Sequence, residues 1–406
     1  MINIIGLGYI GLPTALMFAK SGIKVVGTDI NKNLVNSLNE GRLTFEEKGL
    51  DKLFKDAISK EIEFTTEYRK TDTYIIAVPT PYDNKSNKLD PTFIISAVNS
   101  ILEICDKGTV LIIESTVSPG TIDMYIRPEI ERKGFVIGSE IHLAHAPERI
   151  IPGNMINELQ KNSRTVGTDN EEIGQKVKEL YRNYCEAEIV VTDIRSAEMS
   201  KVVENTYRDV NIAFANELAK ICRTDNMDVY EIIRIANKHP RVNILQPGPG
   251  VGGHCISVDP RFLVGDYPDL TRLILTARKI NDSMPSHVLG RIRDIMREHE
   301  IKDISKVGIY GLTYKENVDD TRESPTLQLL ERMDEHLAFG VKVFDPFVKQ
   351  RIVDHQFMNF EDFLNEIEIL VIMVGHDHIK ENIDLLQNKL VLDTKNICIF
   401  EKSYKL

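Results

Sequence analysis

MINIIGLGYIGLPTALMFAKSGIKVVGTD, residues 1–29, opens the chain. Its first apolar run predicts a strand, the GxGxxG that follows predicts a tight turn into a helix, and a second apolar run ends at Asp29. Strand, glycine turn, helix, strand and acid in this order are typical of a dinucleotide-binding βαβ unit, because the glycines let the backbone approach a pyrophosphate at the N-terminus of the helix. The sequence therefore predicts a Rossmann-like parallel sheet whose turn contains Gly6, Gly8 and Gly11.

The acid at the end of the second strand indicates which dinucleotide is bound. A carboxylate at Asp29 can accept hydrogen bonds from both ribose hydroxyls and would repel a 2′-phosphate, so we expect NAD rather than NADP. Thr80 and Thr116 follow the apolar runs 73–78 and 110–114, and ligands of such sheets lie at the carboxyl ends of strands. Two interpretations of these threonines are equally open: cofactor contacts, or hydroxyls that cap turns.

The composition argues against several classes of protein. A net charge of −11 disfavours nucleic-acid binding, the lack of an apolar run of about 20 residues disfavours a membrane span, and the lack of clustered cysteine and histidine disfavours a bound metal. Five cysteines, an odd number without paired spacing, indicate a reducing compartment. Because a strand is predicted at the start of the chain, no signal peptide is expected, and we predict a cytoplasmic protein.

Further polar groups follow in the middle of the chain. An apolar run at 141–145 leads into Glu148 and Arg149, which are either a surface ion pair or the floor of a site. A long helix is then predicted, and Lys201, Asn205 and Arg208 share one of its faces because they are spaced by four and three residues. Small apolar residues continue this face, so we expect it to be covered, and a covered lysine and asparagine need polar partners.

The opposite face of the same helix, predicted over Ala197–Arg223, is strongly apolar. Val203, Val210, Phe214 and Ile221 lie on it and are expected to be buried in the core. A small helical domain cannot easily cover so apolar a face by itself. We therefore expect a homodimer that forms through the middle of the chain.

The order strand, loop, helix, strand and acid returns after residue 300, without GxGxxG. We predict an α/β fold in which two Rossmann-like, doubly wound parallel-sheet domains are joined by an all-helical middle domain. No second dinucleotide is expected, but Lys315, Arg322 and Lys395 follow strands of the second domain, where they could hold phosphates. The predicted domains are 1–193, 194–300 and 301–406.

The segment PGPGVGGHCISVDP, residues 247–260, is too rich in glycine and proline for a helix or a central strand. It predicts a loop that wraps closely around a ligand, with the thiol of Cys255 four residues before the carboxylate of Asp259. A thiolate is a strong nucleophile, and the loop leaves space beside it. The other cysteines are predicted to be small buried apolar residues; they are Cys105, Cys185, Cys222 and Cys398.

A nucleophilic thiol next to a dinucleotide site indicates a particular chemistry. Oxidation of an alcohol to a carbonyl needs no thiol, whereas a thiol that adds to an aldehyde lets a second hydride leave, and water then cleaves the thioester. The residues alone leave two rivals open. One is a two-electron 3-hydroxyacid dehydrogenase with an idle Cys255, and the other is a non-enzymatic dinucleotide sensor.

Several motifs together resemble the nucleotide-sugar 6-dehydrogenase family nearly end to end: GLGYIGLP, VPTP, ESTVSPGT, HAPERI, EMSKVVENTYRDVN, HPRVNILQPGPGVGGHC, GLTYKENVDDTRESP and LDTKN. Val251 and His254 resemble the branch that acts on UDP-N-acetyl-D-mannosamine more than the branch that acts on UDP-glucose. The resemblance implies NAD-dependent oxidation at C6 to the uronic acid, for surface polysaccharide precursors. UDP-N-acetylglucosamine and UDP-glucose remain alternative substrates.

The resemblance also implies a role for each matching residue. Cys255 would be the nucleophile, Lys201 and Asn205 would handle the proton and the developing oxyanion, and Glu148 and Asp259 would position water. NAD would be contacted by Tyr9, Ile10, Asp29, Thr80, Thr116 and Arg322, besides the glycine turn. The UDP-sugar would be held by Arg149, Ile150, Lys201, Asn205, Arg208, His239, Arg241, Gly252, Tyr314, Lys315 and Lys395. Arg241 would reach the substrate of the partner subunit.

Overall fold

The computed structural model describes residues 1–60, 62–83, 85–253, 255–336, 338–400 and 402–406. Within them the chain forms two compact units, Met1–Glu204 and Asn205–Leu406. His254, on which part of the family resemblance depends, lies outside the described residues.

The first unit is built on a sheet of eight strands in the described part of the chain, in the order β3-β2-β1-β4-β5-β6-β7-β8. All neighbouring pairs are parallel except β6 and β7. The strands are β1 (Ile2–Ile5), β2 (Val25–Thr28), β3 (Ile62–Thr65), β4 (Thr73–Ile76), β5 (Thr109–Ile113), β6 (Ile141–His145), β7 (Arg164–Thr168) and β8 (Ile189–Thr192). The helices are α1 (Gly11–Lys20), α2 (Lys32–Asn39), α3 (Leu50–Ile58), α4 (Thr92–Leu102), α5 (Arg127–Arg132), which follows a π-helical turn at Ile122–Ile126, α6 (Met155–Lys161) and α7 (Glu171–Tyr181).

The strand order of this sheet reverses direction between β1 and β4. Because right-handed crossovers on either side of such a point put helices on opposite faces, the sheet is doubly wound, and its ligand crevice lies at the carboxyl ends of β1 and β4. The central strands are mostly apolar and buried, as expected for a parallel sheet covered on both faces. This edge is where the glycine turn and Thr80 lie.

Helix α8 (Ile194–Thr224) continues across the division between the units. As predicted, the face that carries Lys201 and Asn205 is covered, since both side chains are buried. The opposite face does not enter the core of the chain, so that expectation is wrong. Val203, Phe214 and Ile221 are 46%, 50% and 52% exposed, and Val210 is half-buried. Amphipathicity identifies an apolar face, but not whether this chain or another molecule covers it.

The second unit contains a parallel sheet with the order β11-β10-β9-β12-β13-β14, which repeats the order of the first six strands of the chain's other sheet. Its strands are β9 (Val307–Tyr310), β10 (Lys342–Phe344), β11 (Gln356–Phe357), β12 (Ile369–Ile372), β13 (Leu390–Asp393) and β14 (Ser403–Lys405). Its helices, after the end of α8, are α9 (Val229–Ala236), α10 (Asp259–Asp266), α11 (Arg272–Asp282), α12 (Met284–Glu298), α13 (Pro325–Glu335), α14 (Phe360–Glu366) and α15 (Asp377–Glu381), with 3₁₀ turns at Ile304–Lys306 and Ile383–Leu386.

The helices between the two sheets pack into the core of the second unit. Ala219 of α8, Ile233 of α9 and Ile292 of α12 belong to the same buried cluster as Ile309 of β9 and Val371 of β12. The predicted fold class is confirmed: two doubly wound, Rossmann-like sheets with an all-helical segment between them in sequence. The predicted boundaries at 193/194 and 300/301 stay a prediction. In the described part of the chain, no helix has the length and apolarity to cross a bilayer.

Candidate active site

The glycine turn of the first unit has the shape that a pyrophosphate requires. Gly6 has φ +92°, and a Cβ there would lie 2.7 Å from the carbonyl oxygen of Ala77, while a Cβ on Gly11 would collide with the carbonyl oxygen of Gly6. At Gly8, by contrast, a Cβ would meet no described atom within 4 Å. The turn is therefore closed toward the sheet and open at Gly8, in front of the N-terminus of α1, where a phosphate can approach the backbone.

Asp29 lies beside this turn, as predicted. Its Oδ2 accepts a hydrogen bond of 2.8 Å from the backbone N–H of Leu7, and its Oδ1 accepts one of 2.8 Å from Asn31. These bonds hold the half-buried carboxylate at the edge of the glycine turn. Each oxygen keeps a second lone pair that can accept a hydrogen bond from a ribose hydroxyl, so the carboxylate fits an adenosine ribose without a 2′-phosphate.

Four of the other residues predicted to contact the cofactor lie around the same crevice or beside the turn. Thr80 and Thr116 follow β4 and β5 and are half-buried, and the Ser115 hydroxyl donates to the carbonyl of Val78 at 2.7 Å, which ties the two loops together. Tyr9 and Ile10 are half-buried, and the Tyr9 ring packs 4.4 Å from that of Phe45.

Helix α8 anchors the loop that carries Thr116. The Glu198 carboxylate, fully buried, accepts hydrogen bonds from the backbone N–H groups of Gly120 at 2.5 Å and Ile122 at 3.0 Å. Lys201 lies one turn further along the helix and is only 6% exposed. The buried Glu198 carboxylate therefore connects the loop that carries Thr116 with the helix that carries Lys201.

Glu148 is buried with both carboxylate oxygens engaged. Oε1 accepts a 2.7 Å hydrogen bond from the backbone N–H of Arg149, and Oε2 forms an ion pair with Arg164. The same guanidinium reaches Glu114 at 2.9 Å. Of the two interpretations of Glu148 and Arg149, the surface ion pair is wrong, because Glu148 is buried and pairs with Arg164 rather than with its neighbour. The floor of a site stays a prediction.

Arg149 is held by groups of its own unit. Its guanidinium donates to Thr165 Oγ1 at 2.7 Å and to the backbone carbonyl of Ser163 at 3.2 Å, and it pairs with Glu204 at 2.9 Å. A contact between Arg149 and a nucleotide sugar would have to replace one of these partners. Ile150, next to it, is buried.

In the second unit, α8 and α10 bring two predicted catalytic residues together. Asn205 Nδ2 donates to Asp259 Oδ2 at 2.6 Å, and both side chains are buried. Asp259 begins α10, and its backbone N–H donates to the carbonyl of Cys255 at 2.9 Å. The Cys255 side chain is exposed, while three of the other cysteines are buried and Cys105 is half-buried. Of the five cysteines, Cys255 is the one that is exposed.

The glycine-rich loop that precedes Cys255 is packed against the second sheet. The Gly253 N–H donates to the Arg322 carbonyl at 3.1 Å. A Cβ on Gly252 would lie 2.9 Å from both Tyr314 and Pro325, and one on Gly253 would lie 2.7 Å from the Tyr314 ring. The glycines at these positions are therefore required by close packing, and they hold the loop at the carboxyl end of β9.

The start of the same loop is fixed by Asn216 of α8 and Asn281 of α11, which the sequence did not single out. The Gly248 N–H donates to Asn216 Oδ1 at 2.8 Å, and Asn216 donates to Asn281 at 2.9 Å. Asn281 in turn donates to Asp209, which pairs with the buried Arg278 at 2.5 Å. A buried network thus positions the loop. The sequence signal that could have indicated this network is the run of polar residues in helices that are otherwise expected to be apolar.

The remaining predicted substrate residues lie in different parts of the second unit. Tyr314 and Lys315 are half-buried after β9, at the point where the strand order reverses, and Lys395 is exposed after β13. Arg322 pairs with Asp320 through two bonds of 2.8 and 2.6 Å. Three others do not enter the core: Arg208 is half-buried, and His239 and Arg241 are exposed.

Comparison with known proteins agrees with this geometry. Residues 1–185 match the description "UDP-glucose/GDP-mannose dehydrogenase family, NAD binding domain", residues 195–283 match its central domain, and residues 308–399 match its UDP binding domain. The chain belongs to the UDP-glucose/GDP-mannose dehydrogenase family. As a member of this family it is an NAD-dependent nucleotide-sugar dehydrogenase.

Individual relatives cover almost the whole chain of this family member. It is 42% identical to the UDP-N-acetyl-D-mannosamine dehydrogenase of Methanococcus vannielii over 98% of this chain and 92% of that protein. It is 39% identical to the NDP-N-acetyl-D-galactosaminuronic acid dehydrogenase of Ralstonia nicotianae over 98% and 96%. The UDP-N-acetyl-mannosamine dehydrogenase Cap5O from Staphylococcus aureus has a similar structure, with a TM-score of 0.89 and 40% identity over 100% of this chain and 97% of that chain.

Proposed function

We propose that this dehydrogenase oxidises the C6 hydroxymethyl group of UDP-N-acetyl-D-mannosamine to a carboxylate. One alcohol, one water and two NAD give one uronate, two NADH and three protons. The observation that carries the proposal is the arrangement around Cys255: an exposed thiol in a loop closed by packed glycines, one helical turn before a buried carboxylate that Asn205 holds. An enzyme that stopped at the carbonyl would have no use for this thiol.

Each catalytic side chain has a task suited to its chemistry. Lys201 and Asn205 stabilise the oxyanion that develops at C6, and Lys201 takes the hydroxyl proton. Loss of the first hydride from C6 gives an aldehyde, and the Cys255 sulfur adds to its carbon. Loss of a second hydride from this thiohemiacetal gives a thioester. Asp259 and Glu148 orient the water that cleaves the thioester and frees the thiol. NAD, when bound in the crevice of the first unit, would supply the hydride acceptor for each oxidation.

The binding residues keep their predicted roles in this proposal. The open turn at Gly8 and the carboxylate of Asp29 support NAD there, with Tyr9, Ile10, Thr80, Thr116 and Arg322 as further contacts. Tyr314, Lys315 and Lys395 follow strands of the second sheet and are suited to the uracil and phosphates of UDP. The sugar is held by Arg149, Ile150, Arg208, His239, Arg241 and Gly252.

The proposal includes a homodimer and a place in the cell. Val203, Tyr207, Phe214 and Ile221 are exposed along one face of α8, and a row of exposed apolar side chains of this kind indicates an interface. Arg241 is exposed and is proposed to reach the substrate of the partner subunit. A catalytic thiol needs a reducing compartment, which supports the cytoplasm. The uronate would serve as a precursor for surface polysaccharide.

The identity of the sugar is tested with a panel of nucleotide sugars. At equal concentrations, UDP-N-acetylmannosamine should give a higher kcat/KM than UDP-N-acetylglucosamine, UDP-N-acetylgalactosamine or UDP-glucose. The galacto epimer belongs in the panel because relatives with 39% identity carry a galactosaminuronic name. UDP-glucose should be the poorest, since polar groups that bind the acetamido group would be left unpaired. Faster turnover of any other sugar would contradict the assignment of the substrate.

A further inference from the structure

Arg164 lies between two buried carboxylates that belong to different loops. Its Nη1 is 2.9 Å from Glu114 Oε1, and its Nη2 pairs with Glu148 Oε2. Arg164 begins β7, Glu114 follows β5 and Glu148 follows β6. All three side chains are buried, with exposures of 0–6%. One cation is therefore shared by two carboxylates that are almost fully buried.

The guanidinium of Arg164 is fixed by two aromatic residues. The Tyr181 ring lies 4.0 Å and the Tyr184 ring 5.9 Å from its central carbon. The Tyr181 hydroxyl also donates to Glu114 Oε1 at 3.1 Å. Because the stacked guanidinium is planar and presents two nitrogens in fixed directions, it sets the distance between the two carboxylates.

The charges of this cluster do not balance when both carboxylates are ionised. Burial raises the pKa of Glu114, despite the opposing effects of Arg164 and Tyr181. Arg149, the cation next to Glu148 in sequence, pairs with Glu204. Burial lowers the pKa of His145, which contacts the carbonyl of Ile113 beside Glu114, to about 4, and burial raises the pKa values of Tyr181 and Tyr184, so these three groups are neutral near pH 7. Glu114 is thus the group that can take up a proton.

We propose that Arg164 is a positioning residue for Glu148, and that a proton on Glu114 strengthens the hold of Arg164 on the Glu148 carboxylate. With Glu114 ionised, the guanidinium is divided between two anions. With Glu114 neutral, its charge acts on Glu148 alone. This inference rests on the role proposed for Glu148 in orienting the hydrolytic water, and it adds two residues to which the family resemblance assigned no role.

Glu114→Gln and Arg164→Lys test the inference through the pH dependence of kcat with UDP-N-acetylmannosamine and NAD. Glu114→Gln imitates the protonated carboxyl, so kcat of this variant should no longer change over the pH range in which Glu114 titrates, while the acid limb set by Glu148 stays in place. Arg164→Lys keeps the positive charge but has a single nitrogen, which cannot contact both carboxylates as the guanidinium does. We therefore expect kcat to fall about 10- to 100-fold while KM stays within about threefold. Arg127→Lys is the matched control: Arg127 pairs with Asp123 and Asp169 away from Glu148, and it should leave the profile unchanged.

Glu148→Gln separates failure of the inference from failure of the proposed mechanism. It should remove the acid limb. If it does, while the whole pH profile of Glu114→Gln is identical to that of the wild type or Arg164→Lys has wild-type kcat, the inference is wrong and the role of Glu148 stands. If Glu148→Gln has a wild-type profile, both are wrong. Thermal unfolding of each variant is measured in parallel, and Glu114→Gln carries the test if Arg164→Lys does not fold.

Discussion

Asn205 donates a 2.6 Å hydrogen bond to the carboxylate of Asp259, and both side chains are buried. The bond joins α8 to the first residue of α10, one turn beyond Cys255. The amide N–H of Asn205 that donates to the Asp259 carboxylate fixes the orientation of this carboxylate. A carboxylate has further lone pairs that can accept from a water molecule. The bond therefore connects the residue proposed to bind the oxyanion with the residue proposed to orient water.

Removal of the Asp259 charge should slow hydrolysis rather than hydride transfer. In Asp259→Asn we expect kcat to fall about 100-fold. A rapid burst of two NADH per site should remain, because both oxidations precede the step that needs the water. Stopped-flow absorbance measures the burst. Asp266→Asn, an exposed acid at the other end of α10, is the control and should behave as wild type. Loss of the burst in Asp259→Asn would assign the residue to an earlier step.

Two glycines of the same loop should differ sharply in their tolerance of a methyl group. Gly252→Ala would bring Cβ to 2.9 Å from Tyr314 and Pro325, so the loop must shift, and kcat/KM should fall at least about tenfold. Gly248→Ala, in the same loop, meets no described atom within 4 Å and should retain activity. Steady-state kinetics of both variants measure the difference. Equal activities would show that the packing against Tyr314 does not position Cys255.

Asp29 should determine the choice of cofactor. Asp29→Ala removes the acceptor for the ribose hydroxyls and the charge that repels a 2′-phosphate, so the KM for NAD should rise and the preference over NADP should shrink about 10- to 100-fold. The exposed acid Asp72 provides the control, because Asp72→Ala removes the same charge elsewhere in the unit. An unchanged ratio of NAD to NADP activity in Asp29→Ala would contradict the assignment.

The exposed face of α8 predicts the oligomeric state. Phe214→Asp places a charge in the proposed interface and should convert a dimer into a monomer in sedimentation equilibrium. Phe339→Asp alters an equally exposed phenylalanine elsewhere and should leave the dimer intact. A monomeric wild-type protein, or a dimeric Phe214→Asp, would contradict the interface.

The same dimer predicts complementation between two inactive variants. If Arg241 serves the partner's substrate while Lys201 serves its own chain, co-expression of Lys201→Ala with Arg241→Ala gives heterodimers with one intact site. Random pairing then restores about a quarter of wild-type activity. With heterodimers confirmed by tagged co-purification, absence of rescue would place Arg241 in the site of its own chain.

The sequence predicted well those features that depend on neighbouring residues. Gly6 and Asp29 are separated by a single βαβ unit, and Lys201 and Asn205 by one helical turn, so local periodicity was sufficient to relate them. The second sheet has the same arrangement of an aspartate after its second strand: Asp345 accepts a 2.6 Å hydrogen bond from the Leu312 N–H, as Asp29 accepts one from the Leu7 N–H.

Features that depend on distant parts of the chain were not predicted. Arg164 and Glu114 are 50 residues apart, and only the register of β5, β6 and β7 makes them partners. Helix α10 was missed because the glycine loop before it obscured the start at Asp259, although Pro260 in its first turn is a known start signal. Phe214 was assigned to the core because periodicity does not reveal what covers a face.

The most direct test of the account is the yield of NADH for each UDP-N-acetylmannosamine consumed, with the sugar product identified by mass spectrometry. We predict two NADH and one uronate for the wild-type enzyme and for Cys105→Ala. Cys255→Ala should still bind NAD but should form no uronate. For the wild-type protein, a yield of one NADH with a carbonyl product would indicate a two-electron dehydrogenase, and a yield of no NADH would indicate a sensor. Formation of uronate by Cys255→Ala would contradict the thioester mechanism.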